Sequence, residues 1–159
     1  MEIGDHDRTI GYFKKGMTIL GQDKIKHAES YFPAYQNLID LYLKQNLPDT
    51  ATNHLNNLLS EAKVVLSEND ELLADQFRFG GAVYDEIGKT KEAILMTKKA
   101  LSIHLKEDPD SKALIDIYNN LGIFYQGDSS LLYSQKSLDL GLKHYPLALD
   151  LPKSKRARS

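Results

Sequence analysis

Apolar residues recur at intervals of three and four along most of this chain, the spacing that places side chains on one face of an α-helix. Alternation of apolar and polar residues, which is typical of strands, is poorly represented. The sequence therefore predicts an all-α fold built from amphipathic helices. Five apolar faces are clear: Leu38-Ile39-Tyr42-Leu43, Leu55-Leu58-Leu59-Ala62, Phe77-Gly81-Tyr84, Ala93-Met96-Ala100-Leu101 and Tyr118-Leu121-Gly122-Tyr125.

Short polar segments separate these faces. They are rich in Pro, Gly, Asn and Asp, the residues that end helices and form turns. Helices joined by so few residues must lie antiparallel, so the pattern predicts a series of helical hairpins. The segments are Asn46–Asp49, Ser67–Asp70, Glu86–Lys89, Asp108–Ser111 and Gln126–Ser129.

An internal repeat runs through the same part of the chain. Its anchors stand 42 and then 41 residues apart: Ile39, Gly81 and Gly122. A tyrosine follows each anchor by three residues and a small residue follows it by twelve: Tyr42, Tyr84 and Tyr125, and Ala51, Ala93 and Ser134. Small residues let two helix backbones approach, and the neighbouring ring fills the space beside the crossing. Each hairpin is therefore predicted to pack through one close crossing.

This order of residues, small-x-x-aromatic followed by small residues and a proline, is similar to the tetratricopeptide repeat, and the unit from Tyr118 to Pro146 matches it best. The basic family unit has 34 residues. The longer interval here resembles the extended repeats of kinesin light chains and bacterial peptide-pheromone receptors. The resemblance implies a right-handed superhelix of antiparallel hairpins, with three repeats over residues 32–146. Ile39, Leu58 and Thr97 depart from the consensus.

The two ends of the chain differ from the repeats. Residues 1–31 are interpreted as a degenerate N-terminal repeat or capping pair, in which four residues match the second helix of a preceding repeat: Gly21, Ile25, Ala28 and Pro33. Residues 147–159 offer little to bury, so we expect a flexible tail. Its cations are Lys153, Lys155, Arg156 and Arg158. They leave open a local contact with nucleic acid or an acidic surface.

Composition excludes several classes of protein. The 20 Lys and Arg residues nearly balance 22 Asp and Glu, and a net charge of -2 gives no general attraction for nucleic acid. Without cysteine the chain forms no disulfide or thiolate zinc site, in agreement with a reducing compartment, so we expect a cytoplasmic protein. The start, Met1-Glu2-Ile3-Gly4-Asp5, does not resemble a secretory signal, and no segment has the length of a membrane span.

Candidate catalytic residues are scattered. None of the five histidines lies three or four residues from another, so no local pair of metal ligands forms: His6, His27, His54, His104 and His144. The chain also lacks a nucleophile elbow, a phosphate loop and a dinucleotide fingerprint. The sequence therefore predicts neither an enzyme nor a metal or cofactor site.

The resemblance implies a peptide-binding groove, because the first helix of each pair lines the concave face of such arrays. The ligand-facing positions of the family map to Gln36, Asn37, Asp40 and Lys44, to Asp75, Arg78, Ala82 and Asp85, and to Asn119, Asn120, Ile123 and Gln126. The asparagines are the strongest candidates, since an amide both donates to and accepts from a peptide backbone. Arg78 either binds an acidic side chain or pairs within its own helix.

The preferred hypothesis is a non-catalytic scaffold or adaptor that binds a protein or peptide ligand. One alternative is the sensory half of a peptide-responsive bacterial regulator, which the long repeat supports. Another is a self-assembling module, such as a homodimer formed through an uncapped end, because an array without a polar cap leaves an apolar end. Four residues are expected near that end: Tyr133, Leu138, Leu142 and Leu149.

Overall fold

The computed structural model describes residues 3–145, with side chains from Asp7 onward. In this part of the chain every regular element is helical, which confirms the all-α prediction. Seven α-helices follow one another, with a short 3-10 turn (Gly21–Asp23) after the first. They are α1 (Ile3–Leu20), α2 (Ala28–Lys44), α3 (Pro48–Val65), α4 (Glu71–Glu86), α5 (Thr90–Glu107), α6 (Ala113–Phe124) and α7 (Asp128–His144).

The helices form the hairpins that the turn segments predict. Each helix packs against the next one in the chain, and α2 also contacts α4. The pairs α2–α3, α4–α5 and α6–α7 are therefore three consecutive hairpins. Their first helices, α2, α4 and α6, form one row of the array, and their second helices, α3, α5 and α7, form the other. No helix within residues 3–145 is both long enough and apolar enough to cross a membrane.

The turns inside the first two hairpins end the first helix in the same way. Asn46 and Gly88 occupy equivalent repeat positions and both have a left-handed backbone, with φ of 58° and 75°. The amide of the next residue reaches back to the tyrosine carbonyl, Leu47 N to Tyr42 O at 2.9 Å and Lys89 N to Tyr84 O at 2.7 Å. This is the Schellman arrangement, which asparagine and glycine tolerate best.

Close helix crossings lie where the anchor residues predict them. A Cβ on Gly81 would overlap Thr97 Oγ1 and stand 3.3 Å from Ala93 O. A Cβ on Gly122 would stand 2.7 Å from Ser134 Oγ. Both glycines therefore allow the second helix of their hairpin to approach the first. In the first hairpin Ile39 holds the same position and is fully buried.

The predicted start of the first clear repeat is wrong. Gly21 and Ile25 lie in the 3-10 turn and the loop after it, and Ala28 and Pro33 belong to α2 rather than to a preceding helix. The reason is that the apolar face of α2 begins before Leu38. It extends back through Ala28, Tyr31, Phe32 and Tyr35, all of which are buried. The predicted division at residue 32 therefore falls inside α2, and α1 packs on α2 as α3 packs on α4.

The last helix differs from its equivalents. Leu138 and Leu142 correspond in the repeat to Leu55 and Leu59 of α3, and both residues of α3 are buried. In α7 the same positions are 55% and 42% exposed. None of the described residues of α7 is buried. Leu149 and the basic residues of the tail lie outside the described residues.

Candidate peptide-binding groove

The predicted ligand-facing residues lie on the row of first helices, except Gln126, which lies in the turn after α6 because that helix ends at Phe124. We call them the groove face: Gln36, Asn37, Asp40, Lys44, Asp75, Arg78, Ala82, Asp85, Asn119, Asn120, Ile123 and Gln126. Each side chain is exposed or half-buried. The opposite side of the same helices is buried, since Leu38, Phe77 and Leu121 pack in the core. Each of these helices is amphipathic, with one exposed and one buried side, as its apolar period predicts. The direct contact of α2 with α4 places the groove-face residues of these two helices next to each other.

Gln36 is engaged within the protein. Its Nε2 donates to Gln76 Oε1 at 2.8 Å, and Gln76 Nε2 donates to Leu72 O at 3.0 Å. Gln76 is fully buried, so its amide must find partners inside the protein. Gln36 therefore joins α2 to α4, and only part of its hydrogen-bonding capacity remains for a ligand. No pattern in the sequence distinguishes Gln76 as the partner.

Arg78 pairs within its own helix, the second of the two predicted arrangements. Its Nε and Nη2 lie 3.4 and 3.3 Å from Asp75 Oδ1. Both side chains are more than two-fifths exposed. An exposed pair of this kind contributes less than about 1 kcal/mol to stability. Asp75 therefore holds the guanidinium only weakly.

Asp40 stands in an unfavourable environment for a charge. Burial is the main cause that raises the pKa of its carboxyl, and the charge of Glu86 at the end of α4 raises it further. Lys44, one turn along α2, opposes the shift. The carboxylate of Asp40 on the groove face is thus repelled by that of Glu86, which belongs to the neighbouring first helix but not to the groove face. A cation bound between them would relieve that repulsion.

The asparagines are free to contact a ligand. Asn37 and Asn119 are exposed and Asn120 is half-buried. None of the three makes a side-chain hydrogen bond to another described residue. Ile123, on the same face of α6, is 66% exposed and provides an apolar contact. The groove face therefore offers unpaired amides beside one apolar side chain.

Two of the described histidines, His54 and His104, pack against other side chains of the protein. His54 stacks on Tyr42 with ring centroids 5.0 Å apart, and burial lowers the pKa of its imidazole. His104 is buried with Nδ1 3.9 Å from Glu71 Oε1, while its Nε2 has no partner in the described part of the chain. Within residues 7–145 no group of three or more His, Cys, Asp or Glu side chains is placed to hold a metal ion.

Comparison with solved structures identifies the fold. The chain is similar to BtubC (BKLC) from P. vanneervenii, a kinesin light chain-like tetratricopeptide-repeat protein, with a TM-score of 0.70 and 20% sequence identity. The match covers 89% of this chain and 56% of BtubC, so the chain spans little more than half the length of that protein. A match to MamA covers 91% of this chain and 97% of MamA, at 23% identity and a TM-score of 0.38.

No protein-family model and no curated protein matches the sequence. The chain thus has a tetratricopeptide-type helical repeat fold, as its internal repeat predicts. The similarity to BtubC concerns the fold alone.

Proposed function

We propose that this protein is a non-catalytic binding module that holds an extended segment of another polypeptide against the groove face. The observation that supports this best is the set of unpaired amides of Asn37, Asn119 and Asn120 on the exposed faces of the first helices α2 and α6. Such amides donate to and accept from a peptide backbone, so they hold a chain without requiring one sequence. Rigid repeat arrays present extended surfaces of this kind to their partners.

Selection from a random peptide-display library tests the proposal. The wild-type chain and an Asn37→Ala/Asn119→Ala variant are each immobilised, and enriched peptides are identified by sequencing. The matched control is Asn53→Ala/Asn69→Ala, which removes two exposed amides from α3 and from the turn after it. We expect wild type and control to enrich the same peptides and the groove variant to lose them. Circular dichroism establishes that all three are folded.

Binding constants for the enriched peptides provide the second measurement. Loss of two backbone-directed hydrogen bonds, at about 1 kcal/mol each, predicts affinity about tenfold to thirtyfold lower in the groove variant. Equal affinity in the groove variant and the control would contradict the role of this face.

Self-association is a second candidate function, favoured by the apolar surface of α7. Leu138, Leu142 and Tyr145 are 55%, 42% and 61% exposed. In the preceding repeat, Thr97 is equivalent to Leu138 and His104 to Tyr145, and both are buried. Sedimentation equilibrium over a hundredfold range of concentration tests this function. We expect Leu138→Asp/Leu142→Asp to abolish any dimer, while Ile19→Asp on α1 leaves it unchanged. A monomer at every concentration removes this candidate.

A further inference from the structure

Charge is divided unequally between the two rows of helices. The first helices α2, α4 and α6 carry seven carboxylates and two cations. The second helices α3, α5 and α7 carry six carboxylates and seven lysines. The row that bears the groove face is therefore strongly acidic, although the whole chain has a formal net charge of only -2. A charge field of one sign along a surface selects partners of the opposite sign and speeds their association.

A cavity of about 710 Å³ opens between the N-terminal ends of α2 and α4. Its apolar lining comes from Ile25 and Ala28, from Val65 and Leu66 at the end of α3, and from Leu72. Its volume is within the range of pockets that hold small ligands. Four carboxylates and one lysine provide the charged lining: Glu29, Asp70, Glu71, Asp75 and Lys26.

Two of these carboxylates are engaged within the protein. Asp70 caps α4 by accepting from Leu72 N at 2.8 Å, and Asp75 pairs with Arg78. Glu29 has no partner among the described residues. Glu71 has only the buried imidazole of His104, 3.9 Å away. Glu29 and Glu71 therefore retain the capacity to accept hydrogen bonds from a cation that enters the cavity.

The acidic character continues along the groove face beyond the cavity. Asp75 belongs both to the cavity lining and to the groove face, so the two surfaces are continuous. Towards the other end of the same helices lie Asp40 and Glu86, whose charges repel each other. An extended segment that follows the first helices would thus meet unpaired carboxylates at both ends of its path.

We propose that the preferred ligand of the groove face is an extended basic polypeptide segment, one arginine of which enters the cavity between α2 and α4. This inference rests on the proposed function and adds the chemistry of the partner. The aliphatic stem of the arginine packs on Val65, Leu66 and Leu72, and its guanidinium donates to the carboxylates of Glu29 and Glu71. An arginine fits both linings because it joins an apolar stem to a planar group of five donors.

Fluorescence anisotropy with three synthetic probes tests the inference. The probes are fluorescein-labelled eight-residue peptides in which alanine alternates with arginine, with glutamine or with glutamate. We expect the arginine probe to bind the wild-type chain at least tenfold more tightly than the glutamine probe, and the glutamate probe to show no binding. Raising the salt concentration from 50 to 300 mM should weaken the arginine probe several-fold, because exposed charges are screened.

Matched variants locate the site. Glu29→Gln/Glu71→Gln removes the two unpaired carboxylates of the cavity, and Glu92→Gln/Glu107→Gln removes two exposed carboxylates of α5 while changing the net charge equally. We expect the first variant to bind the arginine probe about tenfold more weakly and the second to remain within twofold of wild type. Equal losses in both variants, or equal binding of the arginine and glutamine probes, would overturn the inference.

The outcomes separate this inference from the proposed function. If the library yields peptides that depend on Asn37 and Asn119 but the arginine probe does not bind, the groove functions and the inferred partner chemistry is wrong. If the arginine probe depends on Glu29 and Glu71 while the asparagine variant selects the same peptides as wild type, the cavity binds cations and the groove proposal fails.

Discussion

The central hairpin α4–α5 and the terminal hairpin α6–α7 share one repeat pattern but differ in burial. Helix α5 buries Ala93, Thr97, Ala100, Ile103 and His104, whereas α7 buries none of its described residues. We attribute the difference to the neighbours of each helix, because α5 packs against α6 as well as against α4, whereas no described helix follows α7. Burial of a second helix in this fold therefore depends on the next hairpin as much as on its own sequence.

The largest difference in the free energy of unfolding is expected when equivalent leucines are truncated in α3, where the residue is buried, and in α7, where it is exposed. Leu55→Ala removes a fully buried side chain of α3 and should lower the free energy of unfolding by about 2–5 kcal/mol, through lost burial and the cavity left behind. Leu138→Ala, at the equivalent position of α7, should change it by less than about 1 kcal/mol, because that side chain is more than half exposed. Urea denaturation at low protein concentration measures both.

Equal destabilisation by these two substitutions would contradict the comparison. It would mean that Leu138 is covered in solution, by the remainder of the chain or by a second copy. Repeating the measurement at a hundredfold higher protein concentration distinguishes these causes, since only association depends on concentration.

A smaller difference is expected at the two close crossings. Gly81→Ala would press a methyl group onto Thr97, which is fully buried and whose hydroxyl is bonded to Ala93 O, so we expect a loss of about 1–3 kcal/mol. Gly122→Ala meets the hydroxyl of Ser134, an exposed side chain of α7 that can rotate away, while Ser134 N stands 3.3 Å from the added methyl group. Overpacking and the better helix propensity of alanine, about 1 kcal/mol, should nearly cancel there.

Gly16→Ala is the control for the glycine comparison. Nothing lies within 4 Å of a Cβ at Gly16 on α1, so this substitution should stabilise the protein by about 0.5–1 kcal/mol through helix propensity alone. The interpretation of the crossings fails if Gly81→Ala is as harmless as Gly16→Ala in thermal denaturation.

The thermal stability of the protein should depend on pH through His54 of the first hairpin. Burial lowers the pKa of His54 below its ordinary value of 6.5, with a smaller contribution from the charge of Lys14. The imidazole of His54 therefore binds a proton more readily in the unfolded chain than in the folded one. Its contribution to the free energy of unfolding is fully present above about pH 6.5 and is lost as the pH falls below that value. The Tm should decline by a few degrees more in wild type than in His54→Phe between pH 7 and pH 5.

Calorimetric scans of both proteins at pH 7, 6 and 5 check this prediction. The phenyl ring retains the stacking on Tyr42 and cannot be protonated. Parallel declines in the two proteins would assign the acid sensitivity to other groups.

The smallest effect is expected at an exposed pair that joins α7 to the turn between α5 and α6. Lys143 Nζ lies 2.6 Å from Asp110 Oδ2 and holds the pKa of that carboxyl below its usual range. Both side chains are more than half exposed, so solvent screens the attraction. Lys143→Ala should leave the Tm at pH 7 within about 1 °C of wild type. A larger drop in a thermal scan would show that α7 depends on this contact.

The sequence predicts the parts of the fold that periodicity and turn chemistry determine. The repeat spacing identifies the close crossings at Gly81 and Gly122, and the turn segments divide the helices correctly. It fails at the start of α2, because the predicted division at residue 32 falls within the apolar face that Tyr31, Phe32 and Tyr35 form on this one helix.

The site is less predictable because its features depend on contacts between helices. The bond between Gln36 and Gln76, the repulsion between Asp40 and Glu86 and the cavity each join residues about 40 or more positions apart. Helical period identifies which side of one helix faces outward, but it does not indicate which residue of the neighbouring first helix lies opposite. The ligand-facing role of the groove residues stays a prediction.

The bond between Gln36 and Gln76 has a mechanical consequence for the array. If α2 and α4 tilted apart, Gln76 Oε1 would lose its donor Gln36, and an unsatisfied buried acceptor costs about 1–3 kcal/mol. The seam between these two helices therefore resists bending. A ligand that contacts both α2 and α4 therefore binds to two helices whose separation is fixed. A ligand that does not match this separation must change its own conformation.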